Sequence, residues 1–192
     1  MKTRERMLTA TMRLIRQQGV ESTGVLQVLA EAAAPRGSLY HHFPGGKPQL
    51  VAEALQLNAD QVTQALHEVI AITPDAPTAV VTYADALASD LTGSDFQAGC
   101  PLATAVLEQA ATDEKVAEIG DRAFDTWTKL ITDELERTGV HEPDALALLC
   151  VAALEGALII ARAKRDTGPL RTTAQILGSL IEQSAESSPP ST

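Results

Sequence analysis

Residues 36–50 read RGSLYHHFPGGKPQL, and this stretch decides how the N-terminal part of the chain folds. Leu39 and Phe43 lie four apart, so on a helix they share the face that packs on a support. Arg36, Gly37, Ser38 and Tyr40 are left for other faces. Pro35 suits the first turn of this short helix, where its missing N–H costs nothing. Pro44-Gly45-Gly46 then breaks it, and Pro48 opens the next helix, which should run to about Ala71.

Working back toward the N-terminus, Ser22 or Thr23 is expected to cap a helix with the apolar face Val25, Val28, Leu29 and Ala32, reaching about Ala33. Ahead of it, Thr3 to Gln18 places Met7, Leu8, Thr11, Leu14 and Ile15 on one face, and Gly19 supplies the stop. A supporting helix followed by two short helices across a tight turn is the helix-turn-helix pattern, here over about residues 24–43. In that pattern the second short helix enters the major groove with its N-terminal residues foremost. Arg36 can pair with guanine or clamp a phosphate, Gly37 lets the backbone approach closely, and Ser38 can donate or accept a hydrogen bond. Tyr40 points a phenol outward. Lys47 starts the next helix, where its charge and the helix dipole both favour an anion.

Charge supports this reading. Net charge is −10, which taken alone argues against a nucleic-acid partner, but the charge is unevenly distributed. Residues 1–50 carry seven Lys/Arg (Lys2, Arg4, Arg6, Arg13, Arg16, Arg36, Lys47) against three acids, or +4, and the other 142 residues carry −14. A basic head on an acidic body is expected when one end meets phosphate.

The remaining sequence is helical in pattern, with 45% apolar residues but one Trp, two Tyr and three Phe. The core must therefore be aliphatic. Helices are expected over Ala79–Leu91, Leu102–Ala111, Glu114–Arg137 (capped by Thr112-Asp113 and stopped at Gly139), Pro143–Arg165 and Thr172–Gln183. The expected fold class is all-α, with about nine helices. The Ser/Pro-rich segment 185–192 reads as a disordered tail.

The stretch RGSLYHHFPGGKPQL resembles the DNA-binding motif of TetR-type transcriptional regulators. Gly45-Gly46-Lys47 and the later GCPLATAVLE (residues 99–108) resemble the LmrA/YxaF-like branch of that family. The resemblance implies a DNA-binding domain over 1–47 and a helical ligand-binding and dimerisation domain over 48–184. It implies that Thr23 caps the second helix and touches phosphate, that Arg36, Gly37 and Ser38 face bases, and that Tyr40, His41 and Lys47 grip the backbone. The partners implied are double-stranded DNA with a palindromic operator, a second copy of the chain, and a small-molecule effector that releases a repressor. The rival readings are a regulator with no ligand and a helical interaction module without DNA binding. One position departs from the family: Ala33 stands where glycine is usual at the turn, and alanine tolerates a left-handed backbone poorly.

For the dimer, the last two helices offer Ala153, Gly156, Ala157, Ile160, Leu177 and Ile181. For a ligand pocket, Phe96, Phe124, Trp127 and Tyr83 are candidates, although each also suits a plain core. Glu155, inside the most apolar stretch, reads either as a carboxylate at a helix interface or as an anchor for a cationic ligand.

Other chemistry is not expected. There is no phosphate loop, dinucleotide fingerprint, H-E-x-x-H or nucleophile elbow, so no enzyme and no cofactor. His41 and His42 diverge by about 100° on a helix and do not chelate together, and Cys100 and Cys150 have no metal spacing, so no metal is expected. The segment MKTRERMLTATMRL has no continuous apolar run, and Ala145–Ala161 is short for a bilayer span. The chain is thus expected to be cytoplasmic, without a signal peptide or membrane contact.

Overall fold

A computed structural model describes residues 1–186. Among these residues the chain is helical and contains no strand: α1 (Thr3–Ser22), α2 (Val25–Glu31), α3 (Ser38–His42), α4 (Gly46–Ile72), α5 (Ala76–Gly93), α6 (Pro101–Gln109), α7 (Glu114–Arg137), α8 (Pro143–Lys164) and α9 (Gly168–Glu186).

Local chemistry explains several helix ends. Asp75 Oδ1 accepts from Thr78 N at 2.8 Å at the start of α5, and the Thr78 hydroxyl, followed by this amide, holds the Asp75 carboxyl below its usual range. Asp113 Oδ1 caps α7 by accepting from Lys115 N at 2.9 Å and Val116 N at 3.2 Å. Pro77, Pro101 and Pro143 occupy first turns, where no N–H is needed. Gly139, at φ 76, ends α7 where the sequence places a stop.

Several ends differ from expectation: α3 starts at Ser38, leaving Pro35 outside it, α5 starts at Ala76 rather than Ala79, and α9 at Gly168 rather than Thr172. Gly19 does not finish α1: at φ 86 and ψ 170 it kinks the chain, and Val20–Ser22 add a further helical turn. Neither Ser22 nor Thr23 caps α2. Its N-cap is Gly24, without a side-chain cap, because the Thr23 hydroxyl donates to Gly19 O at 2.6 Å. At the C-terminus α9 includes Ala185 and Glu186, so these two are helical rather than part of a tail. The remainder of the expected tail, 187–192, lies outside the described residues.

The described chain divides into two compact units, 1–61 with 98–123, and 62–97 with the segment from 124 onward. The first reaches past the expected boundary at residue 47. Leu50 and Ala54 of α4 join the apolar cluster of Met7, Leu14, Val28, Leu29, Leu39 and Phe43, and α6 packs along α1.

The second unit packs α5, α8 and α9 together. Ala174, Leu177 and Ile181 recur at helical spacing and are buried with Val80, Leu135, Ala147 and Leu154. Leu177 and Ile181, expected at a dimer contact, are therefore core of this unit, and Ala157 is buried too. Ala153 and Gly156 are half-buried. What α8 and α9 present outward is Leu148, Leu149, Ile159, Ile160, Ile176 and Leu180, with Ile160 half exposed. The expectation that α8 is simply a buried helix needs correction. At 22 residues it is long and apolar enough to cross a bilayer by length and composition, and only a third of its apolar window is buried. Its even apolarity gave the sequence no periodic signal for which face packs inward.

Candidate nucleic-acid interface

The first unit fixes a short reading surface. Leu39 and Phe43 are buried and root α3 in the apolar cluster. Ser38 N donates to Pro35 O at 2.9 Å, so the turn ahead of α3 is hydrogen-bonded. Outward from this root, Arg36, Gly37, Tyr40 and His41 are exposed and Ser38 is half-buried, with Tyr40 at 70%. The His41 and His42 rings meet edge-on with centroids 4.7 Å apart.

Two glycines here have no internal reason to be glycine. Gly24 precedes α2 and Gly37 precedes α3, both at ordinary negative φ. A Cβ built on either would meet nothing within 4 Å.

Most of the basic residues of the head have structural partners. Arg4 pairs with Glu53 and lies over the Phe43 ring, 5.2 Å from its centroid. Arg13 pairs with Glu31. Arg6 donates to the carbonyl of Ala32 at 2.7 Å, and Arg16 to that of Gly99 at 3.2 Å. Lys47, expected to grip phosphate, directs Nζ to Val20 O at 2.9 Å and so caps the turn that follows the Gly19 kink. Thr23, also expected at phosphate, is 1% exposed with its hydroxyl turned to Gly19. Arg36 stands exposed outside these contacts.

Comparison with known proteins places this geometry. Residues 7–54 match the family described as bacterial regulatory proteins, tetR family, and residues 76–176 match the C-terminal domain described as transcriptional regulator LmrA/YxaF-like. A relative from Mycobacterium tuberculosis, an uncharacterised HTH-type transcriptional regulator, is 35% identical over 185 residues, 93% of each chain. The chain belongs to the TetR family. It is a DNA-binding transcription regulator. The HTH-type transcriptional regulator LmrA of Bacillus subtilis is 28% identical over 182 residues, covering 94% of this TetR-family chain and 97% of that one. The fold matches the crystal structure of the regulatory protein TetR from Rhodobacter sphaeroides with a TM-score of 0.84 at 21% identity, over 93% of this chain and 98% of that one. It also matches the reduced form of Escherichia coli NemR, with a TM-score of 0.80 at 21% identity, over 93% and 97%.

In this TetR-family regulator the second unit holds a cavity of about 40 Å³. Its walls are Leu66, Val69 and Ile70 of α4, Ala76, Ala79, Val80 and Tyr83 of α5, Ile131, Glu134 and Leu135 of α7, and Cys150 and Leu154 of α8. Of the aromatic candidates only Tyr83 lines it. Trp127 is buried, its indole N–H donating to Thr63 Oγ1 at 3.2 Å, and Phe124 packs edge-on against it. Phe96 lies under the Arg165 guanidinium, 5.5 Å from its centroid. Glu155 is half-buried on α8 and not among the lining residues. The aliphatic walls were not visible in the sequence, since leucines that line a cavity and leucines that fill a core have the same composition and spacing.

Cys150 illustrates the character of this cavity. Burial pushes its thiol up to about 11. At pH 8 roughly one molecule in a thousand carries the thiolate, the reactive form. Iodoacetamide should therefore label half-buried Cys100 first and reach Cys150 only after unfolding, as read by peptide mass spectrometry. Equal labelling of both in the folded protein would contradict this.

Proposed function

We propose that this regulator is a repressor that binds a palindromic operator as a homodimer and is released by a small, neutral, apolar effector. The observation that carries the DNA reading is the exposed set Arg36, Gly37, Tyr40 and His41, with half-buried Ser38 among them, around a buried Leu39–Phe43 root. Gly24 and Gly37 strengthen it: nothing within the protein demands a missing side chain there, whereas close approach of a DNA backbone would. Thr23 and Lys47 support this surface from behind, through Gly19 and Val20. The exposed apolar face of α8 and α9 is what a second copy would cover. Such a protein works in the cytoplasm, without enzymatic chemistry.

The effector class follows from the walls. Glu134 is the carboxylate at the cavity, and Arg137 already holds it through bonds of 2.5 and 2.9 Å. A cationic ligand would have to displace Arg137, and an anion would be buried beside a carboxylate. The present volume exceeds the about 10–15 Å³ that one water needs but is small for a ring. An effector that widens it on entry favours a second conformation, and release from DNA needs only that difference, about 1–3 kcal/mol of coupling.

Selection of bound DNA from a random pool tests the first part. A palindrome with half-site centres about 34–36 Å apart, or a multiple, is expected. A single unrepeated half-site would overturn the dimer, and no enrichment would overturn sequence-specific binding. Toluene, benzylamine and benzoate test the second part through Trp127 fluorescence and operator binding. Toluene alone should act. Binding of either charged ring in preference would overturn the neutral class, and binding without release would favour a regulator that needs no ligand.

A further inference from the structure

The turn between α2 and α3 contains a residue that fits its backbone poorly. Ala33 has φ 46, in the left-handed region where a Cβ crowds the following carbonyl. The surrounding bonds require that conformation. Ala34 N donates to Leu29 O at 2.9 Å and Ala33 N to Ala30 O at 3.1 Å, the paired bonds of a Schellman ending with Ala33 at the position usually given to glycine. Helix α2 has seven residues, too few to hold its own last turn firmly.

Arg6 of α1 acts on this point. Its Nε donates to Ala32 O at 2.7 Å and its Nη2 lies 3.4 Å from Ala33 O. Nη1 and Nη2 also reach Met1 O at 3.2 Å and Thr3 Oγ1 at 3.4 Å, which fixes the plane of the guanidinium. A cation thus sits at the negative end of α2, bonded to carbonyls that the Schellman pair leaves without an amide. Three residues beyond Ala33 the chain presents Arg36, so rotation about Ala33 redirects the reading surface.

We propose that Arg6 is the positioning residue of the helix-turn-helix: it holds Ala33 in the left-handed conformation and so sets the direction in which α3 leaves the turn. Arg6 itself is half-buried with every nitrogen engaged, and does not grip phosphate. The coupling is specific, because glycine at position 33 takes the same conformation without help.

Two measurements on the full chain test this: affinity for a duplex selected by the wild-type protein, over a salt series, and hydrogen exchange of the Ala34 amide well below the unfolding temperature. Arg6→Gln is expected to weaken DNA binding about tenfold and to speed Ala34 exchange by a similar factor, leaving the salt slope unchanged. Arg6→Lys, which keeps the charge but not the planar fork, should show a smaller loss of the same kind. Ala33→Gly in the Arg6→Gln background should restore both readings to within about twofold of wild type. If Arg6→Gln unfolds the protein, the lysine variant and its Ala33→Gly double carry the same comparison. A slope shallower by about 0.9 per head, with Ala34 exchange unchanged and Arg6→Lys fully active, would make Arg6 a phosphate contact and overturn the proposal. So would failure of Ala33→Gly to restore exchange.

Discussion

Arg36→Ala is expected to weaken operator binding by about tenfold or more per recognition helix, since a bidentate arginine contributes about 1–3 kcal/mol of discrimination. The size of this effect comes from the scarcity of available cations. Arg4 and Arg13 are paired with Glu53 and Glu31, while Arg6, Arg16 and Lys47 are bonded to carbonyls. The +4 of the head still attracts DNA at long range, but few of its charges are positioned to touch it. Fluorescence anisotropy at several salt concentrations separates two roles. Contact with a base relaxes discrimination at one operator position and leaves the slope nearly intact. Contact with a phosphate weakens all sequences alike and lowers the slope by about 0.9 per head. Gly37→Ala supplies the companion measurement. Its Cβ meets no protein atom within 4 Å and its φ is −74, so thermal stability should hold or rise. A loss of affinity without loss of stability would come from the interface itself. Unchanged affinity in both variants would remove this surface from DNA recognition.

The fold was legible where local chemistry is strong. Helix α7 starts and stops where Asp113 and Gly139 place it. Leu39 and Phe43 gave the inward face of α3 because two large apolar residues four apart leave little choice of side. Ala33 was recognisable as a misfit because the family resemblance puts glycine at that turn, and its φ of 46 agrees. Partners of charged residues were not legible. Arg6 meets Ala32 across 26 positions and Lys47 meets Val20 across 27, contacts fixed by packing rather than by local pattern. The faces of α8 and α9 were hard to read for a different reason. In α8 most residues are Ala, Leu or Ile, and in α9 Ile176 and Leu180 stand directly beside Leu177 and Ile181, so apolarity alone does not separate the side buried within the chain from the side left for a partner. Leu177 and Ile181 were therefore expected at the surface that Ile176 and Leu180 occupy.

Gly19→Ala is expected to destabilise the protein by about 2–5 kcal/mol, through two costs that can be measured apart. The first is the backbone: at φ 86 and ψ 170, a region occupied almost only by glycine, an L-residue costs about 1–3 kcal/mol. The second arises from α6. Glu108 Oε2 accepts from Val20 N at 2.7 Å and Glu21 N at 3.3 Å, satisfying the amides that follow the kink. A Cβ at position 19 would lie 1.9 Å from Glu108 Oε1. The carboxylate is the free end of a flexible side chain, so it would withdraw and leave those amides open, at about 1–2 kcal/mol more. Glu108→Ala alone should show only this second cost. The double variant should be no less stable than Gly19→Ala, since the first change already displaces the carboxylate. Thermal unfolding reads the series, with Gly19→Ala lowering the midpoint by roughly 4–20 °C. Additive losses would mean that Gly19 and Glu108 act separately. Non-additive losses would give the GCPLATAVLE segment a physical role. At one end Gly99 exchanges backbone and side-chain bonds with Arg16 at 3.1 and 3.2 Å, and at the other Glu108 holds the kink, so both ends of the segment fix the last turns of α1 behind the reading surface.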